Sequence, residues 1–128
     1  PRMNYNKFSM PKLVRSFLYA SRGIINLLKS EQNARIHLIY AIVVASMAYV
    51  LSISRIEAIV LFFAVTLVIA TEIINTAIEK LIDIVNPKLC AEIEFIKDAM
   101  AGAVLVAAII ALVITVMIFL PYFNKFIA

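Results

Sequence analysis

Three long apolar stretches limit what this chain can become: about Ile36 to Ile53, about Ile56 to Val85, and about Ala99 to Tyr122. Each approaches or exceeds the roughly 18 to 20 residues that cross a hydrocarbon core. Backbone N–H and C=O groups in lipid have no water to bond, so each stretch must satisfy them internally, as a helix. Of the 128 residues, 64% are hydrophobic and the mean hydropathy is +1.00, which excludes an ordinary soluble fold and leaves one membrane domain over residues 1–128. The first apolar stretch begins more than thirty residues in and no small-residue cleavage pattern follows it, so no removable signal peptide is expected.

Ahead of the spans, from about Ser9 to Ser30, the apolar period changes to that of a surface helix. Val14, Phe17, Leu18, Ile24, Ile25 and Leu28 share one side, and Lys12, Arg15, Tyr19, Arg22, Asn26 and Lys29 share the other. Ser9 is placed to cap this helix and Pro11 fits its first turn, where a missing N–H costs nothing. Such a helix lies in the headgroup boundary rather than crossing the membrane.

The expected architecture is therefore all-α: an amphipathic surface helix over about 9–30 and transmembrane helices over about 35–53, 56–85 and 97–122. Ser54 and Glu57 have capping-box spacing and open the second span after a very short turn. Asn86-Pro87 stops that span, because proline disfavours helix in the residue before it. A polar connection from Lys88 to Ile96 follows. Seven Lys and Arg precede the first span and three more lie between Lys80 and Lys97, against only Arg55 and Lys125 on the other side. That imbalance puts the N-terminus in the cytoplasm and the C-terminus outside a bacterial plasma membrane.

The second span carries the chemistry. At 100° per residue, Glu72, Glu79 and Asp83 fall within about 40° of one another and Asn75 about 60° to one side. Ionisable groups in a span cost several kcal/mol each, so this stripe must face protein or water and marks a functional site. Glu72 lies about 22 Å along the helix from Glu57, inside a core about 30 Å thick, whereas Glu79 is about 33 Å along and reaches cytoplasmic water. Apolar surroundings disfavour a carboxylate's charge and favour its taking a proton, which suits Glu72 as a general base. Glu79 and Asp83 suit a divalent cation with oxygen ligands. Lys97 and Asp98 open the third span near the level of Glu79, and Glu31 and Arg35, spaced i, i+4, open the first at the same surface. Carboxylates for a metal, a lysine for phosphate and a deeper carboxylate for a hydroxyl proton are the parts of phosphoryl transfer.

Several classes are excluded or disfavoured. With only Gly23 and Gly102, neither a P-loop nor a dinucleotide glycine motif can be present, so a nucleotide would be held by side chains and metal. The net charge of +4 comes without interleaved base-stacking aromatics, which argues for anionic headgroups and nucleotide phosphates and against nucleic acid. Cys90 cannot form an intramolecular disulfide and reads as a small packing residue in a loop. On these residues alone, kinase, transporter and structural subunit all stay open.

The run Glu72-Ile73-Ile74-Asn75-Thr76-Ala77-Ile78-Glu79, with Lys97-Asp98 eighteen residues after Glu79, resembles the signature of the bacterial diacylglycerol and undecaprenol kinase family. The resemblance extends from the surface helix through Glu31 and Arg35 to the third span. It implies a homotrimer with sites shared between subunits at the cytoplasmic interface, with Glu72 accepting the proton of the lipid hydroxyl and Asn75 orienting the reacting groups. Glu31 and Glu79 would ligate Mg²⁺ and, with Lys97 and Asp98, bind ATP, while Lys12 and Tyr19 would be weaker nucleotide contacts. Ala101, beside the lipid site, stands where the diacylglycerol kinase branch has serine, and Asn33-Ala34-Arg35-Ile36-His37 is more similar to the Gram-positive branch. Both departures imply undecaprenol as acceptor, with diacylglycerol the alternative.

Two rivals come from other classes. A proton- or ion-conducting subunit would need Glu72 but leaves Asn75, Glu79, Lys97 and Asp98 unexplained, and a scaffold subunit should not tolerate so costly a stripe. Among the remaining polar residues, His37 reads as a hydrogen-bonded interface residue. Glu92 and Glu94 read as solvated loop charges, and Gly102 between Ala101 and Ala103 allows close helix approach.

Overall fold

The structure is a computed structural model that describes residues 9–86, 88 and 90–128. It contains α1 (Met10–Ser30), α2 (Gln32–Val50), α3 (Arg55–Val85) and α4 (Ala91–Ile127). The last three are long and apolar enough to cross a membrane.

α1 begins at Ser9 with Pro11 in its first turn, although the Ser9 hydroxyl makes no capping bond. A single extended residue, Glu31, separates α1 from α2; its N–H donates to the Leu27 carbonyl and closes the first helix. Leu51 caps α2, and the chain turns through Ser52, whose φ of 49° is the left-handed conformation that costs a non-glycine residue about 1 kcal/mol. Ser54 then caps α3 as the spacing predicts. Its hydroxyl accepts from the Glu57 N–H at 3.2 Å, and the Glu57 carboxylate accepts from the Ser54 N–H at 2.9 Å. Asn86 closes α3, its N–H donating to the Ile82 carbonyl; Pro87, and the Arg2 and Lys7 of the charge count, lie outside the described residues.

The connection after α3 is shorter than the sequence suggests. Residues 91–96 are the first turns of α4, so Glu92 and Glu94 are helical rather than loop charges, set where the positive end of the helix dipole favours acids. Cys90 is the exposed residue before this helix, not a packed one. At its other end α4 continues through Pro121 to Ile127; the proline forfeits the bond its N–H would make four residues back, yet does not end the helix.

Polar contacts at both ends fix the register. Tyr122 on α4 donates to Glu57 on α3 at 2.6 Å, and Lys97 on α4 meets Asp83 on α3 at 2.7 Å, so α3 and α4 run antiparallel. Glu31, at the start of α2, meets Lys80 near the end of α3. Between these ends α3 and α4 pack through small residues, Ala64, Val68, Ala107 and Ala111, all buried, while Val44 of α2 joins Leu61, Ile118 and Phe119. Alanines let backbones approach closely where lipid supplies no hydrophobic drive between helices. Tyr40 of α2 donates to the Ala111 carbonyl at 3.1 Å and shares a bond with Thr115, tying α2 across the middle of α4. Large apolar residues such as Phe62, Phe63, Leu105 and Met117 point outward, as a bilayer or a neighbouring subunit requires.

Candidate active site

The polar stripe of α3 runs from dry to wet. Glu72 and Asn75 are buried, Glu79 is half-buried, and Asp83 is exposed. The gradient follows from position: Glu72 packs under the junction of α1 and α2, whereas Asp83 lies 11 residues, or about 16 Å, farther along the same helix.

Glu72 is the unusual member. Its side chain is only 4% exposed, and its Oε2 makes no hydrogen bond. The nearest base is His37 of α2, whose Nε2 is 3.8 Å from that oxygen. Asn75 Oδ1 is likewise buried without a partner. Buried polar oxygens are ordinarily hydrogen-bonded, so two without a partner, one turn apart, mark a place that the packing of this chain alone leaves unsatisfied. Both Glu72 and His37 line a cavity of about 90 Å³ whose other walls are aliphatic: Ile24, Leu27 and Leu28 from α1 and Ile69 and Ile73 from α3 among them.

Nearer the surface, Glu31 sits at the break between α1 and α2. Because it is not helical, its i, i+4 spacing to Arg35 does not produce a pair. Its Oε1 turns instead to Lys80 Nζ at 3.3 Å, and Arg35 is exposed with no ion-pair partner among the described residues. Glu79 lies two turns beyond Glu72 on the same strip of α3, and Glu31 meets α3 at Lys80, the residue after Glu79. The three carboxylates thus come from the α1–α2 junction and from two turns of α3. Among the described residues no group of three or more His, Cys, Asp or Glu side chains gathers as a closed metal cage. A magnesium ion does not need one, since one or two carboxylates, water and substrate phosphates complete its shell, and the hard oxygen donors of Glu31 and Glu79 fit that role.

The remaining residues singled out in the sequence are spread more widely. Lys97 is held by Asp83, one turn beyond Glu79, and Asp98 is exposed beside it. Ala101 is exposed one turn further along α4. Lys12 and Tyr19 are exposed on α1, with the Arg22 guanidinium 6.0 Å from the Tyr19 ring, and neither makes a polar contact with the carboxylates among the described residues. Three contacts went unread in the sequence, those of Lys80 with Glu31, Lys97 with Asp83, and His37 with Glu72. The signal for His37 is its register: Ala34, His37, Ala41 and Val44 follow i, i+3, i+7, i+10, and Ala34 and Val44 are the buried residues of α2.

Residues 18–119, which hold every one of these groups except Lys12, match the model of the family described as prokaryotic diacylglycerol kinase. The chain belongs to that family. It is 34% identical over 110 residues to an undecaprenol kinase of Bacillus subtilis (strain 168), covering 86% of this chain and 89% of the relative. It is 36% identical over 112 residues to a diacylglycerol kinase of Synechocystis sp. (strain PCC 6803), covering 87% of this chain but 64% of that longer protein. No solved structure gives a significant match. Membership makes this a lipid kinase of the bacterial membrane, in keeping with the three apolar helices.

Proposed function

We propose that the protein transfers the γ-phosphate of ATP to the hydroxyl of undecaprenol. The observation that carries this reading is the Glu72 carboxylate, buried and unpartnered beside a cavity with aliphatic walls, in a family of lipid kinases. Glu72 takes the hydroxyl proton, Asn75 orients the reacting groups through its unpaired oxygen, and the hydroxyl oxygen attacks the γ-phosphorus as ADP departs. Glu31 and Glu79 would hold Mg²⁺, which would neutralise charge on the phosphate oxygens. Lys97 and Asp98 bind the nucleotide, with Lys12 and Tyr19 reaching it from α1.

The cavity wall favours undecaprenol over diacylglycerol. In a polyprenol the hydroxyl is joined directly to hydrocarbon, which aliphatic side chains accept. In diacylglycerol two ester groups sit on the glycerol carbons next to the one bearing the hydroxyl, and their carbonyls would enter a wall whose only polar side chains are Glu72 and His37. Burying such acceptors unpaired costs about 1–3 kcal/mol each. Ala101, offering no hydroxyl where the diacylglycerol branch has serine, points the same way.

On the membrane, α1 lies at the cytoplasmic surface with its apolar side in the headgroup boundary, the N-terminus is inside and the C-terminus outside. Three subunits assemble around shared sites, which gives the exposed apolar faces of α2 and α3 partners. Mixing subunits carrying Glu72→Gln with subunits carrying Lys97→Ala tests the sharing. If each site takes Glu72 from one chain and Lys97 from the next, random trimers recover about one quarter of the sites, whereas sites made within one chain recover none.

The deciding experiment is transfer of labelled phosphate from Mg²⁺-ATP to undecaprenol and to diacylglycerol in detergent micelles, by wild type and Glu72→Gln in parallel. Undecaprenol labelling that disappears in the variant is expected. Preferential labelling of diacylglycerol overturns the acceptor assignment, and no labelling of either lipid by folded wild type overturns the kinase reading.

A further inference from the structure

Two lysines near the wet end of the polar stripe each rest on a carboxylate, Lys97 on Asp83 at 2.7 Å and Lys80 on Glu31 at 3.3 Å. Lys80 follows Glu79 directly on α3, so one ammonium ties together the two places where Mg²⁺ is proposed to be held. We infer that Lys80 is a nucleotide-binding residue parked on Glu31. It neutralises that carboxylate while the site is empty and passes to the phosphates of ATP when Glu31 takes up the metal. The inference rests on the kinase reading and on its assignment of Glu31 to Mg²⁺, and it adds a residue that reading does not use.

Charge decides the exchange. An ammonium and a divalent cation on one carboxylate repel each other, so Glu31 holds one of them well and not both. The triphosphate of ATP carries more negative charge than the metal carries positive. Lys80 is therefore repelled by the bare metal ion and attracted by the metal–nucleotide complex. No covalent bond changes and no proton moves; the ammonium exchanges one anionic partner for another.

The pair is placed to come apart. Its Nζ–Oε1 distance exceeds the about 2.7–2.9 Å of a charge-assisted hydrogen bond, which Lys97 and Asp83 do form. The Lys80 side chain is 61% exposed, which leaves its long stem free to swing, and ion pairs so exposed are worth about fivefold in an equilibrium constant at most. An ammonium also carries three N–H donors, more than one carboxylate oxygen can use. Glu31 occupies the extended break between α1 and α2, so no helical turn fixes its side chain on either partner.

Two binding measurements of opposite sign test the exchange. Mn²⁺ serves as the probe for Mg²⁺, and its binding to the whole protein in detergent micelles is followed by water-proton relaxation, first alone and then as its complex with β,γ-methylene-ATP. Assembly is checked by circular dichroism and size-exclusion elution. Lys80→Met, which keeps the reach and removes the charge, should bind Mn²⁺ alone about two- to fivefold more tightly, because nothing competes for Glu31. The same variant should bind the Mn²⁺–nucleotide complex about tenfold more weakly, having lost a charged contact to phosphate. Lys80→Arg should stay within about threefold of wild type in both, and Lys80→Gln replaces the methionine variant if that one does not assemble. Glu31→Gln should weaken Mn²⁺ binding, and in its background Lys80→Met should no longer tighten it. Given that weakening, shifts of the same sign in the two measurements, a shift in only one, or none overturns this inference alone, as does a gain for Mn²⁺ that persists without Glu31. Glu31→Gln that binds Mn²⁺ as well as wild type overturns the metal assignment and this inference with it, while phosphate transfer to lipid is still decided by its own assay.

Discussion

Changing Glu72 to Gln should damage catalysis without damaging the fold, and the structure says by how much. The Glu72 side chain is 4% exposed, its Oε2 has no hydrogen bond, and the nearest basic nitrogen, His37 Nε2, is 3.8 Å away. A buried acceptor left unpaired costs about 1–3 kcal/mol, and more when it is charged. Glutamine keeps the shape, removes the charge and adds two N–H donors, one of which can turn toward His37. The variant should therefore unfold in mixed micelles at the same denaturant concentration as wild type or a higher one, with a gain on the order of 1 kcal/mol. Its rate of phosphoryl transfer should fall about 10²- to 10⁴-fold, the usual contribution of a positioned general base. Glu72→Asp supplies the geometric control. It keeps a carboxylate but draws it back by one C–C bond, about 1.5 Å, and a misplacement of about 1 Å is enough to cost about 10²-fold. Denaturant unfolding followed by circular dichroism, run beside initial-rate assays, reads both quantities. A Glu72→Gln protein that loses more than about 2 kcal/mol along with its activity would make Glu72 a structural residue, and a fully active Glu72→Asp would refute the positional argument.

Three further outcomes follow from the same contacts. Lys97→Ala should raise the KM for ATP, whereas Asp83→Asn, which frees Lys97 from a partner that is 62% exposed, should cost at most about 1 kcal/mol of stability and lower that KM by no more than about threefold. Glu31→Gln should raise the Mg²⁺ concentration for half-maximal activity at least as much as the roughly tenfold seen on losing a metal's outer-shell partner, read by titrating Mg²⁺ at saturating ATP. Tyr122→Phe removes the 2.6 Å bond to Glu57 at the opposite end of the bundle and should lower unfolding stability by about 0.5–1.5 kcal/mol with kcat unchanged.

The helices were legible because lipid makes them so. Hydrocarbon forbids unpaired backbone, so apolar length alone places α2, α3 and α4, and the capping box at Ser54 and Glu57 places the turn between the first two of these. The start of α4 was not legible. Glu92 and Glu94 read as solvated loop because hydropathy cannot distinguish a polar loop from a polar first turn, and only the helix dipole, which rewards acids there, argues for the helix. At its other end α4 runs past the expected limit of about Tyr122 to Ile127, with Pro121 costing it one hydrogen bond without ending it.

The site divides along the same line, between what one helix determines and what two must share. Glu72, Asn75, Glu79 and Asp83 lie on one strip of α3, so periodicity alone aligns them, and their graded exposure follows from distance along the axis. Contacts between elements have no such rule. Glu31 to Arg35 has the spacing of a helical pair, yet Glu31 is the residue that breaks the helix, and its carboxylate finds Lys80 instead. Lys97 to Asp83 and His37 to Glu72 depend on how α4 and α2 are set against α3, a register fixed by Ala64, Val68, Ala107 and Ala111 in one case and by Ala34 and Val44 in the other. Those are small or plain aliphatic residues, indistinguishable by composition from the lipid-facing ones around them. A deep carboxylate therefore announces a reaction from sequence, but which group stands across from it is decided by packing residues that carry no chemical signal of their own.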